Sequence, residues 1–347
     1  MPGETTISDT RARKALGLWG DREEHFGGSM STVCGDPLGH VVVFGFGAQG
    51  RAQALNLHDS GVRVSVALRE GSPRREEVLA SHLPCLDLEA AARAADLAAV
   101  LVPDEAHAAL YSEILAPALR RGAALVFAHG YSVHYGRIRP RPDLDVVLVA
   151  PMGIGPQVRA RFLAGSGVPA LVAVAQDGSG EAMRRARRYA EALGSGRRAI
   201  LETTFAEETE TDLFAEQAVI CGGLTHLIAA GFETLVEAGY RPEIAYFCCL
   251  EELKLIADLV YERGLEGMRR SISTTALYGD YTRGPRVIGE EVRAVLRAVL
   301  GEIRSGRFDQ ELAREAAAGW PTLQAARERA ARHPLEEVGR RLRGEDS

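Results

Sequence analysis

The stretch "HVVVFGFGAQG" (His40–Gly50) decides the fold. Its first half is a β-branched apolar run, the composition of a buried strand. Its second half, Gly45-Phe46-Gly47-Ala48-Gln49-Gly50, is a G-x-G-x-x-G pattern. Alone that pattern says little. Placed directly after a strand and opening a helix, it is the context that a dinucleotide site requires. Gly45 makes the tight turn, Gly47 lets the backbone approach a pyrophosphate, and Gly50 lets helix and strand pack closely. The helix that begins here turns free N–H groups and a positive dipole end toward the phosphates. All six residues are read as cofactor-binding.

Working outward, "VRVSVAL" (62–68), "LAAVLVP" (97–103), "AALVFAHG" (123–130), "DVVLVAPMG" (145–153) and "PALVAVAQD" (169–177) are further short apolar runs. Helical stretches separate several of them, beginning with "AQGRAQALNLHDSG". Strands alternating with helices predict a parallel α/β sheet buried on both faces. The texture changes near Thr203. "EETETDLFAEQAVICGGLTHLIAAGFETLVEAGY" and "RPEIAYFCCLEELKLIADLVYERG" are long amphipathic patterns, each ending in a glycine-containing breaker. "SISTTALYGDYTRGPRVIG" reads as a loop-like insert, with Gly279 and Gly284-Pro285 as turn signals. The expected organisation is a polar tail at 1–38 with a short helix around Arg11–Leu18, a doubly wound Rossmann-type domain at 39–202, and an all-helical domain at 203–347.

The chain has 347 residues and a net charge of −6, which gives no electrostatic case for nucleic acid or an anionic membrane surface. No apolar run is read as approaching a membrane span, and the N-terminus lacks an apolar signal core. Five cysteines without paired spacing fit free thiols in a reducing compartment, so a cytoplasmic location is expected.

After the second strand, "LREGSPRREE" (68–77) crowds Arg69, Ser72, Arg74 and Arg75 into one loop. Arginine there favours the 2′-phosphate of NADPH, whereas an acid such as Glu70 favours the free ribose of NADH. Three arginines and a serine outweigh one glutamate. Further on, Asp212 and Glu216 stand four apart among apolar residues, on one face of a helix. Buried carboxylates need a partner or a cation, and two on one face suit an oxygen-ligated Mg²⁺.

These segments resemble the short form of the ketol-acid reductoisomerases from about Val41 to Leu342. The resemblance is carried by "GFGAQGRAQALNLHDSGV", "PDEAHAALYSEILAPALRRGAALVFAHGYSVHYG", "ETTFAEETETDLFAEQAVICGG", "GFETLVEAGYRPEIAYF" and "MRRSISTTALYGDYTRGPRV". It implies NADPH, two Mg²⁺ ions, and an intertwined homodimer or larger homo-oligomer whose active sites are shared between chains. The family reaction is an alkyl shift in acetolactate or a homologue, followed by hydride reduction of the 2-keto acid, in branched-chain amino-acid synthesis. By the same resemblance, Asp212 and Glu216 match one pair of metal ligands, and Glu252 matches an acid of the second pair, supplied by a partner subunit. His129 matches the active-site histidine and Ser273 the serine that contacts the substrate carboxylate.

The chain also departs from the pattern. Met152 stands where the family has an active-site lysine, and it can neither carry charge nor donate a proton. In "AYFCCLEELKL" (245–255), Cys248 stands where a carboxylate ligand is expected, one turn before Glu252. Glu251 points about 100° away on a helix and is a poor substitute. Thr274, Leu277 and His226 are smaller departures. The sequence therefore reads as an NADPH-dependent reductase of a small carbonyl or imine, in specialised metabolism, with the isomerase step impaired or lost. A working Mg²⁺-dependent reductoisomerase and a non-catalytic nucleotide-binding regulator are the alternatives.

Overall fold

A computed structural model describes residues 38–345 of the chain. The tail helix expected at Arg11–Leu18 and Cys34 lie outside the described residues. Among the described residues, eight strands form one sheet in the order β3-β2-β1-β4-β5-β6-β7-β8. They are β1 (His40–Phe44), β2 (Arg63–Ala67), β3 (Cys85–Leu86), β4 (Leu97–Val100), β5 (Ala124–Phe127), β6 (Asp145–Pro151), β7 (Ala170–Gln176) and β8 (Ile200–Glu202). Every residue of β1, β4, β5 and β6 is buried, as strands covered on both faces must be. Val41, Val43 and Phe44 are completely shielded, each such side chain contributing about 1.5–3 kcal/mol by burial.

The sheet differs from the sequence expectation in two ways. It is not wholly parallel, because β7 runs antiparallel to β6. It is also longer by β3 and β8, which have two and three residues and flank the sheet as short outer strands. Neither is long enough to show a periodic pattern.

Among the described residues, all regular structure after Glu202 is helical. The expected loop at 271–289 is instead a helix, Thr274–Val287. The Ser273 hydroxyl caps its start by accepting from the Ala276 N–H at 3.2 Å. Gly284 and Pro285 fall near its last turn, where they end the helix rather than prevent it. The two long helical patterns are present but interrupted. Wider π-turns span Glu216–Ile220 and Phe247–Glu251, and Gly264 breaks the helix Glu252–Arg269 with φ 70°. The run Phe205–Glu237 has 33 residues and a best-window mean hydropathy of 1.6, so by length and composition it could cross a membrane. This corrects the reading that no apolar segment approaches that length. Only 6% of that window is buried in the single chain.

The strand order reverses between β1 and β4, and the loops that follow these strands open a crevice at the carboxyl edge of the sheet. The helix Phe205–Ala215 packs against the same edge. Thr204 caps it, accepting from the Glu207 N–H at 3.0 Å. Glu207 and Glu208 occupy its first turn, where the helix dipole favours negative charge.

Candidate active site

The crevice is a cleft of about 910 Å³. Gly45, Phe46, Gly47 and Gln49 line it from one side and Arg69, Ser72 and Arg74 from another, with His129 among the remaining lining residues. Glu70 is not among the residues that line it. Ala48 and Gly50, also read as cofactor-binding, are likewise not among them. Gly50 serves packing: a Cβ there would lie 2.4 Å from the Gly45 carbonyl oxygen. Gly45 itself has φ +103°, and a Cβ would meet the Leu101 carbonyl at 2.6 Å. Gly47 has open space where its Cβ would be, which fits a cradle for a phosphate. Arg74 donates to the Phe46 carbonyl at 2.7 Å and so lies over the glycine loop. Arg75 is withdrawn from the cleft, paired with Asp87 at 3.0 Å.

His129 follows β5 and meets the acidic helix. Its Nδ1–H donates to Glu208 Oε1 at 3.1 Å, and Asp212 Oδ2 lies 3.2 Å from the same nitrogen. Glu208 is 2% exposed. Its second oxygen accepts the Gly130 N–H at 2.8 Å. Gly130 has to be glycine for this approach, since a Cβ would lie 2.4 Å from Thr209 Oγ1. Tyr131 stacks on the imidazole at 6.2 Å between centroids and donates its hydroxyl to Asp309 at 2.8 Å.

The charges follow from this packing. Burial alone would pull the His129 imidazolium down. The hydrogen bond and charge of Glu208, with Asp212 and Asp104 behind it, outweigh burial and raise it to about 9. Burial pushes the Asp212 carboxyl up despite the opposing pull of His129. Burial and then the Asp212 charge push Glu216 up as well. Two carboxyls on one face, both disfavoured as anions, are a donor set that a hard divalent cation would relieve. His129, Glu208 and Asp212 place their ligand atoms within 4.8 Å of one another.

Other sequence-predicted residues stay apart from this cluster in the single chain. Cys248 and Glu252 lie on exposed turns, and Ser273 is exposed as a helix cap. Met152 is 48% exposed just past the end of β6. The four described cysteines are free. Sequence reasoning missed Glu208, which stands in the acid-rich first turn of its helix. The usable signal was its spacing, because 208, 212 and 216 repeat every four residues along one helical face. It also missed His107, a buried cleft residue held between Ser132 Oγ and the Val102 carbonyl, each at 2.9 Å.

Comparison with known proteins agrees with this architecture. The family model for the NADPH-binding domain of acetohydroxy acid isomeroreductase matches residues 39–199. That for the C-terminal domain of ketol-acid reductoisomerase matches residues 205–346. The solved structure of an NADH-preferring ketol-acid reductoisomerase from an uncultured archean is 42% identical, with a TM-score of 0.86 over 88% of this chain and 94% of that one. The chain belongs to the ketol-acid reductoisomerase family. It is an NAD(P)H-dependent oxidoreductase built on the Rossmann-type and helical domains of that family. Two more distant structures share the fold alone. A semialdehyde dehydrogenase NAD-binding protein from Cupriavidus necator, solved with calcium and NAD, is 21% identical with a TM-score of 0.57 over 77% of this chain and 99% of that one. A pyrroline-5-carboxylate reductase from Coxiella burnetii is 13% identical with a TM-score of 0.54 over 76% and 97%.

The His129 pair gives a direct prediction for this reductoisomerase-family site in metal-free protein. NMR titration of the imidazole should give a pKa near 9, and Glu208→Gln should lower it by more than one unit. Because the folded value is raised above 6.5, the pair's stabilisation is complete below pH 6.5 and lost as pH rises through about 9. A wild-type value near 6.5, unmoved by Glu208→Gln, would contradict the assigned partners.

Proposed function

We propose that this family member is an NADPH-dependent reductase of a small 2-keto acid or related imine whose isomerase step is impaired. The observation that carries the reading is the split between an assembled hydride site and two altered positions. The glycine loop, Arg69, Ser72, Arg74 and His129 share one cleft, whereas Met152 and Cys248 replace a cation and a metal ligand expected of the family. The NADPH preference rests on the arginines and serine lining the cleft while Glu70 does not. Bound NADPH supplies a hydride.

The chain's residues do the rest. Arg69, Ser72 and Arg74 hold the 2′-phosphate, and the backbone at Gly45–Gly47 admits the pyrophosphate. In the metal-free chain, Glu208 and Asp212 keep a proton on each ring nitrogen of His129 at neutral pH. Its Nδ1–H is held by Glu208, leaving Nε2–H to stabilise negative charge developing on a carbonyl oxygen. Asp212 and Glu216 would hold a Mg²⁺ ion, which polarises such an oxygen. Alkyl migration asks for more, because an alkoxide and a polarised ketone have to be held together. Cys248 is a soft replacement for a hard ligand, and Met152 offers no charge. An iminium substrate already carries positive charge and needs no ion to become electrophilic.

The apolar face of the helical domain supports a homodimer or larger oligomer. Val219, Ile220, Leu227, Phe247 and Leu255 are 46–63% exposed in the single chain. Large apolar side chains clustered on exposed helices mark an interaction surface. In this reading a second copy, in the cytoplasm, covers the Phe205–Glu237 run, and the partner's Glu252 completes the site from the other chain. Specialised metabolism is the setting that a changed substrate fits. The 42% identity to a reductoisomerase favours the second reading, a working enzyme that tolerates both replacements.

With NADPH and Mg²⁺, the purified protein should oxidise cofactor on 3-hydroxy-3-methyl-2-oxobutanoate or a small cyclic imine at least roughly tenfold faster than on acetolactate, a barrier difference of about 1.4 kcal/mol. Equal rates on acetolactate would establish the second reading. No cofactor oxidation and no NADPH binding would remove both. In sedimentation velocity without detergent, wild type should be a dimer or larger and Leu255→Glu should shift it toward monomer. A wild-type monomer would sink the shared-site reading.

A further inference from the structure

A chain of side-chain hydrogen bonds crosses the cofactor domain from an outer helix to the substrate edge. Tyr189, on the helix Ala182–Ala192, donates its hydroxyl to Gln53 Oε1 at 3.0 Å. Gln53 Nε2 donates to Gln49 Oε1 at 3.2 Å. Gln49 Nε2 donates to the Gly153 carbonyl at 2.8 Å. Gln49 and Gln53 are four apart on the helix Ala48–Asp59, so both amides lie on one face.

The polarity of this relay is fixed at both ends. The Gly153 carbonyl can only accept, which orients the Gln49 amide and leaves its oxygen for Gln53. The Gln53 oxygen is then the acceptor for Tyr189. Tyr189 is wholly buried, and desolvation raises its hydroxyl far out of the physiological range, so it stays a donor. Gln53 is 1% exposed. A buried amide that loses either partner bears a desolvation cost, so the relay resists partial breakage.

The end at Gly153 matters most. Gln49 belongs to the glycine loop and lines the cofactor cleft, yet its amide is spent on the loop that follows β6. That loop carries Met152. β5 and β6 run parallel, so His129, two residues past the end of β5, leaves the sheet at the same edge as the end of β6. Met152 directly follows the last residue of β6, at the rim of that edge. Gly155 seals the contact, since a Cβ there would lie 2.1 Å from the Ala48 carbonyl oxygen. Ala52, Val158 and Val168 pack below it.

We propose that Gln49 is a positioning residue that ties the Met152 loop to the cofactor's glycine loop, so that cofactor binding sets the placement of the substrate flank. The placement of Met152 at the substrate rests on the reductase reading given above. The relay makes the glycine loop and the Met152 loop move as one body. A ligand that shifts the first therefore shifts the second, and Gln53 and Tyr189 act on the substrate without touching it.

Methyl-labelled methionine NMR on the full chain tests this. There are five methionines, and Met152→Leu identifies the resonance. In wild type, NADPH should move the Met152 methyl. In Gln53→Leu the movement should fall by more than half and the cofactor-free line should sharpen as the loop is released. NADPH affinity should hold within about twofold, while KM for 3-hydroxy-3-methyl-2-oxobutanoate rises roughly tenfold, the scale of a small misplacement. Tyr189→Phe keeps the ring and should change both readouts in the same direction, so it carries the test if Gln53→Leu fails to fold. A Met152 resonance that is unchanged in the cofactor-free variants and responds to NADPH as in wild type would overturn the inference. Failure of wild type to bind NADPH would overturn the reductase reading instead, and the cofactor-free comparison would still decide the relay.

Discussion

The Glu208 carboxylate is the constraint on which the site depends. It is buried at the seam between the sheet edge and the first helical turn after it, and a buried charge has to be matched by donors. The Gly130 N–H and the His129 imidazolium supply them. Satisfying one carboxylate thereby fixes three things at once. It orients His129, draws the acidic helix onto the sheet, and sets Asp212 and Glu216 one and two turns further along that helix, with Asp212 beside His129. Gly130 is the steric counterpart, because any side chain there would push the helix off.

This arrangement divides the candidate site residues into two groups. The glycine loop and His129 share one cleft in the single chain, and Asp212 and Glu216 lie on the helix that meets His129. Cys248, Glu252 and Ser273 stand on exposed helical turns whose apolar neighbours are also exposed. The replacement at Cys248 falls in the second group, and Met152 falls on a loop tied to the first. In the proposed reading, hydride delivery draws on the first group and alkyl migration on both. The π-turns at Glu216–Ile220 and Phe247–Glu251 lie beside the acids of each group, where a local change of helical phase re-aims a side chain.

Much of the fold was legible because its cause is local. The β-branched runs are strands since they are buried on both faces, and the glycine spacing at 45, 47 and 50 can be read without tertiary context. The antiparallel β7 was not legible, because strand direction leaves no mark on an apolar run. The helix Thr274–Val287 was misread since glycine and proline were weighted over the Ser273 cap. In the site, Asp212 and Glu216 stood out against apolar neighbours, and the family resemblance pointed to His129. Glu208 did not stand out, because its burial comes from a segment 78 residues away in sequence. Gln49 looked like a loop residue for the cofactor, and only its bond to Gly153 reveals the second attachment.

The central claim is that two replacements, and not the scaffold, separate this chain from an isomerising member of its family. The most direct measurement is acetolactate turnover by the Met152→Lys, Cys248→Glu double variant beside wild type, with Mg²⁺ and NADPH. The account predicts that the double variant gains at least roughly tenfold on acetolactate while reduction of the isomerised 2-keto acid changes little. Wild-type turnover of acetolactate as fast as of the 2-keto acid would contradict it.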